Sequence, residues 1–168
     1  MADDHAMRLL DVWAEAAPYF MGYSEEAPEI VLGNMTASTM DACILHLLHG
    51  SRELTTQFVM KNTNIRVVTP SPLMTARALS GGRIGGGLWL DLPLLPTLGL
   101  FVDGPHAMNI SFVRGEWDAM SLLALFVLLR DLYHIAPQCS IWLAGSSYEP
   151  YERDGFIAFV QEYLHETA

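Results

Sequence analysis

The chain is an α+β protein by its sequence, with a mostly antiparallel sheet built from hairpins and packed by a buried central helix and amphipathic terminal helices. Three observations predict this. Stretches such as Leu98, Leu100, Val102 and Met108, Ile110, Phe112 alternate with period two around a turn, which is hairpin patterning. Ala119–Leu129 is apolar apart from Ser121, which marks a core helix. The two ends carry apolar residues at helical spacing. A length of 168 residues suits a single globular domain spanning 1–168. A 51% hydrophobic content with 17% charged residues excludes disorder.

In order along the chain, Asp3 or Asp4 can cap a first helix whose stripe is Met7, Leu10, Trp13 and Ala17, with Leu9, Ala16 and Phe20 on the adjoining row and Pro18 limiting its end. Residues 22–28 read as a loop and Glu29–Leu32 as a short strand. Ser38 with Asp41 resembles an acidic capping box for a helix to about His49, stopped by Gly50. Leu54, Thr56, Phe58 and Met60 then alternate, Lys61–Asn64 turns, and Ile65 and Val67 return, giving a first hairpin. Thr69-Pro-Ser-Pro72 breaks that pattern before a short helix ending near Ser80. The run SGGRIGGG at 80–87 reads as a mobile connection. Leu88–Leu92 is a strand, and Pro93 and Pro96 bound a loop. Asp103-Gly104-Pro105 turns the second hairpin. Glu116–Tyr133 is the central helix, with Glu116 and Asp118 as acids in its first turn. Cys139–Ala144 is a strand patterned for burial on both faces. Glu152–His165 is the last helix.

Charge is distributed unevenly. Residues 1–29 carry seven acids against Arg8, and residues 148–168 carry five against Arg153. The 118 residues between them balance, so the entire net charge of −10 sits at the two ends. Chain termini commonly lie close together at the surface. Joined, these ends form one acidic patch on a neutral body, which favours a basic partner and disfavours nucleic acid and anionic lipid. Within the patch, Tyr148, Glu149, Tyr151, Glu152 and Asp154 form one aromatic–acidic cluster, and Tyr23, Glu25 and Glu26 form a second. Tyrosine offers contact area and a hydroxyl at low entropic cost, which suits a binding surface.

Other constellations are weaker. Cys43, His46 and His49 follow i, i+3, i+6, yet Met40, Ile44, Leu47 and Leu48 define the buried face and leave both histidines on the solvent side, so no metal site is expected. SGGRIGGG with Arg83 matches no phosphate-binding fingerprint. Asp103 and His106 flank a turn with no nucleophile marked beside them. No catalytic residue and no cofactor is expected. Cys43 and Cys139 read as reduced core thiols, the acidic start lacks the basic segment of a secretory signal, and no apolar run is long enough to span a membrane, so a cytoplasmic location is expected.

The expected function is that of a non-enzymatic acidic protein-binding module. Its first setting is a bacterial immunity protein that neutralises a basic toxin. The alternatives are an acidic chaperone or adaptor of a secreted protein, and a small-molecule-binding enzyme with a site near Arg83, Asp103 and His106 and the Gly81–Gly87 segment as its lid. The high apolar content also leaves room for a homodimer interface.

Overall fold

The computed structural model describes residues 2–67 and 71–166, with side chains described for 11–53, 56–67 and 71–165. The elements run α1 (Ala2–Phe20), β1 (Glu29–Gly33), α2 (Ala37–Gly50), β2 (Leu54–Met60), α3 (Pro72–Ser80), β3 (Ile84–Leu90), β4 (Leu98–Val102), β5 (Met108–Ser111), α4 (Ala119–Ile135), β6 (Ser140–Ala144) and α5 (Pro150–Glu166). The six strands form one sheet in the order β2-β3-β4-β5-β1-β6, and every neighbouring pair is antiparallel. Among the described residues no helix is long and apolar enough to cross a membrane.

Strand side chains alternate between faces. On one face Ile30, Leu32, Leu100, Ile110 and Leu143 are fully or almost fully buried. They share a core with Phe20 of α1, Ile44 of α2, Phe126 of α4 and Phe156 of α5. Helix α4 is the middle of that layer. Its Leu122, Leu125, Leu129 and Leu132 have no exposure, and each such burial is worth about 1.5–3 kcal/mol. The opposite face carries Glu29, Val31, Trp89, Phe101, Asn109 and Trp142, as the strand registers require.

Helix starts follow local chemistry. Helix α2 begins at Thr36, whose hydroxyl accepts from the Thr39 amide while Thr39 answers back, so the capping box lies two residues before the one expected at Ser38. Ser71 caps α3, with Pro72 at the first helical position where a missing N–H costs nothing. Asp118 caps α4 and pairs with Ser121, which puts Glu116 outside the helix rather than in its first turn. Hydrogen bonds from the Ser121 amide and hydroxyl hold the Asp118 carboxyl below its ordinary range. Helix α1 runs past Pro18 to Phe20, since a proline in the last turn removes only one late helical bond. Asp3 and Asp4 fall inside α1, which starts at Ala2, rather than before it. Met7, Leu9, Leu10 and Leu54 have side chains outside those described, and Thr69 and Pro70 lie outside the described residues.

One strand expectation is met in shortened form and two change. The first hairpin is present but short: the Met60 amide donates to the Ile65 carbonyl and the Val67 amide to the Phe58 carbonyl around a Val59–Arg66 bridge, on the edge of β2 opposite to β3. The glycine run is not a mobile connection. Gly85, Gly86 and Gly87 belong to β3, paired with Val59, Phe58 and Gln57, and only Gly81 and Gly82 turn the chain. A Cβ at Gly87 would fall 2.7 Å from the Phe101 ring and 2.8 Å from the Trp89 ring, so large rings on neighbouring positions fill what the glycine leaves free. Strand β6 is an edge strand buried on one side only, through Ile141 and Leu143.

Candidate functional site

The two acidic ends fold against each other. Helix α1 packs on α5. The Tyr19 ring meets Phe156 edge-on with centroids 5.6 Å apart. The Tyr148 hydroxyl donates to the Tyr19 carbonyl at 2.6 Å. A Cβ on Gly155 would lie 2.6 Å from the Tyr19 hydroxyl, so the absence of a side chain there lets α1 approach α5. Further along the seam, the Ser146 hydroxyl donates to the Glu26 carboxylate at 3.1 Å.

The charges of the two segments also lie near one group. The Tyr19 phenol is pushed up first by burial, then by Glu15 from the N-terminal end and Glu152 from the C-terminal end. Both carboxylates therefore act on one group. Among the described residues, Arg114 and Arg153 are engaged with backbone carbonyls and form no ion pair with these carboxylates. Arg114 donates to the Met21 carbonyl at 2.8 Å and the Pro18 carbonyl at 3.0 Å, with its guanidinium 5.2 Å from the Tyr148 ring centre. Arg153 donates to the Gly145 carbonyl at 2.9 Å. Among the described residues the ion pairs are Arg52–Asp91 and Arg130–Asp131, both outside this surface.

The residues expected to bind a partner separate into two groups. Tyr23 is 83% exposed and Tyr151 is 73% exposed, and Glu25, Glu26, Glu149 and Asp154 stand in solvent around them. Glu152 is half-buried, and its carboxylate accepts the Glu149 amide at 2.8 Å at the start of α5. Tyr148 differs from its expected place at the surface. It is 4% exposed, and its ring lies under Arg114 with its hydroxyl committed to Tyr19. Burial pushes its phenol up, more than Arg114 lowers it. Tyr148 therefore fastens the two ends together and offers a partner no contact area.

Asp103 and His106 each have a hydrogen-bond neighbour outside the trio expected with Arg83. The Asp103 carboxylate accepts from the Asn109 amide at 3.4 Å, while the His106 ring sets Nδ1 3.0 Å from the Met35 carbonyl. A cavity of about 290 Å³ does lie between the α3–β3 turn and the β4–β5 turn, lined by Lys61, Gly81, Gly82, Gly104 and Pro105 among others. None of the three expected residues lines it. The amides of Gly81, Gly82 and Arg83 donate to carbonyls of Arg77, Leu79 and Ala78, which spends on the helix end the N–H groups a phosphate would need.

Cys43 is buried with its thiol 3.7 Å from the Leu132 carbonyl, and His46 and His49 are exposed. Among the described residues no three histidines, cysteines or acids converge to hold a metal ion. Burial, with a smaller contribution from Cys139, pushes the Cys43 thiol up to about 12, and burial pushes Cys139 to about 11.

One feature escapes the sequence reading. Asn109 sits between Met108 and Ile110 on β5, 6% exposed, with its amide between Glu29 and Asp103 and its carbonyl oxygen unpartnered. A lone amide in an apolar strand was the available signal. Comparison with protein-family models, curated proteins and solved structures finds no match for the chain.

Proposed function

We propose that this chain is a non-enzymatic acidic binding module that engages a basic protein, acting as an immunity protein does when it masks a basic toxin. The observation that carries the reading is the contact between the two ends, through the Tyr148–Tyr19 hydrogen bond, the Tyr19–Phe156 ring pair and the packing of α1 on α5. Unneutralised carboxylates on one face raise the encounter rate with a cationic partner. Exposed Tyr23 and Tyr151 then supply rigid contact area beside Glu25, Glu26, Glu149 and Asp154. A compact acidic domain suffices for such masking, which favours it over a chaperone or adaptor.

The test is capture from the native cell at low salt, followed by elution at high salt. The proposal expects a stoichiometric basic protein that salt releases, and a toxic activity of that protein that the chain suppresses. The variant E149Q/E152Q/D154N keeps the side-chain acceptor that caps Glu149 and removes three charges. It should capture much less. Equal capture by the variant, or a partner held through salt by apolar contact alone, overturns the proposal.

A further inference from the structure

We infer that the open edge of β6 takes an extended, lysine- or arginine-bearing segment of the basic partner as a further strand of the sheet; this rests on the function proposed above and names how that partner is held.

The two edges of the sheet differ. At the β2 edge the chain closes the ladder with its own return, through the Met60 amide to the Ile65 carbonyl and the Val67 amide to the Phe58 carbonyl. At the other edge, β6 pairs with β1 alone among the described residues. Its outer side is a row of backbone donors and acceptors with no strand to meet, which is a template for another chain. Native sheets blunt such an edge with a charge, a proline or a bulge. Strand β6 reads Ser-Ile-Trp-Leu-Ala, with neither charge nor proline. Its register with β1 runs one to one from Ser140 to Ala144, without a bulge.

A groove of about 350 Å³ lies beside this edge, between β6, α5 and the end of α4. Its lining includes Ile141 of β6 and Ile157, Val160 and Leu164 of α5, with Gln161 and His165 exposed on its α5 side. Opposed residues on neighbouring strands put their side chains on the same face. Ile141 and Leu143 point to the helix face, where both join the core. Residues of an added strand opposite them would project over the groove. Those beside Trp142 would project to the other face, where its ring is half-buried. An apolar side chain suits the groove, and a cation suits the indole. The added segment therefore alternates apolar and cationic residues.

Charge selects who brings it. Asp154, Gln161 and His165 stand at i, i+7 and i+11, on one line of α5, so the exposed Asp154 carboxylate continues the rim of the groove. Arg153, next to it, is engaged with the Gly145 carbonyl directly after β6. A second copy of the chain would bring another net charge of −10, which opposes self-pairing at this edge.

The probe is an acetylated and amidated heptapeptide of alternating lysine and valine, titrated at low salt into the isotope-labelled full chain and followed by NMR. One control is the same peptide with every backbone amide N-methylated, and the other carries glutamate in place of lysine. The inference expects saturable shifts of the amides in 140–144, slowed hydrogen exchange at alternate residues of that strand, and contacts from the peptide valines to Ile157 and Leu164. Each control should bind at least about tenfold more weakly, since one lacks the ladder and the other the charge. D154K should weaken the lysine peptide about threefold, as an exposed ion pair allows. Equal response to either control, shifts confined to residues 149–154, no shift at millimolar peptide, or a dimer of the chain alone with protected amides in 140–144 overturns the inference. The two proposals fail separately. A captured basic partner that leaves exchange in 140–144 unchanged contradicts strand addition only. A lysine peptide that adds to β6 while capture from the native cell yields no basic partner contradicts the proposed function only.

Discussion

The hydroxyl of Tyr148 donates to the backbone carbonyl of Tyr19 at 2.6 Å across a separation of 129 residues. That one bond joins the loop before α5 to the last turn of α1, and so holds the two acidic ends as one surface.

Tyr148→Phe keeps the ring beneath Arg114 and removes only the donor. Leaving the Tyr19 carbonyl unpaired should cost about 1–2 kcal/mol, read as a lower urea midpoint with an unchanged slope. The alkaline limb should change as well. The folded phenol is raised above its ordinary 10.0, so its stabilising contribution is complete below pH 10 and is lost as pH rises beyond that, because the unfolded chain ionises first. Tyr148→Phe should therefore flatten the loss of stability above pH 10. An unchanged midpoint and alkaline limb would show that the bond contributes nothing.

Tyr151→Ala and Tyr23→Ala remove side chains that are mostly in solvent. Each should leave thermal stability within about 0.5 kcal/mol of the parent. Each should weaken partner binding by about 2 kcal/mol if it is an anchor. Calorimetry of the complex and thermal melts of the free chain separate the two effects. A fall in stability without a fall in affinity would contradict the surface assignment.

Cys43 and Cys139 should resist thiol reagents in the folded chain. The thiolate is the reactive form, and raising a thiol from 9.0 to about 12 leaves a thiolate fraction at pH 8 about a thousandfold smaller. Burial slows access further. Two thiols should react promptly in denaturant and neither in its absence. Because both folded values are raised, these groups stabilise fully below pH 9 and progressively less as pH climbs toward 11 and 12.

Gly85 and Gly86 separate a strand from a lid. Gly86 has a φ of +106°, and a Cβ there would collide with the Gln57 carbonyl across the ladder. Gly86→Ala should destabilise by about 1–3 kcal/mol or more. Gly85 has open space around its missing Cβ, and Gly85→Ala should be neutral or stabilise by about 0.5–1 kcal/mol. Equal tolerance at both positions in a denaturant series would indicate a loose segment.

Much of this architecture is legible in the sequence where local chemistry acts alone. The turn at Asp103-Gly104-Pro105 joins β4 to β5 as the alternation requires, and the apolar run after Asp118 becomes the central helix. The errors arise where a distant partner decides. Ile65 and Val67 do return along one edge of β2, but the pairing of its other edge with β3 is not readable from either segment alone. The β3 glycines lack strand propensity, and the rings of Phe101 and Trp89 compensate from positions no local window includes. At the candidate surface, charge counting located both acidic ends correctly. It could not tell Tyr148, which is buried, from Tyr151, which is 73% exposed, because the two tyrosines stand three residues apart in the same acidic context.

The most direct test of the central claim is the association rate of the chain with its basic partner, measured by stopped flow across a range of ionic strength for the parent and for E149Q/E152Q/D154N. Electrostatic steering predicts a rate about tenfold or more lower for the variant at low salt, curves that converge at high salt, and a smaller change in dissociation. Parallel curves with the same rate at low salt would contradict a function built on the joined acidic ends.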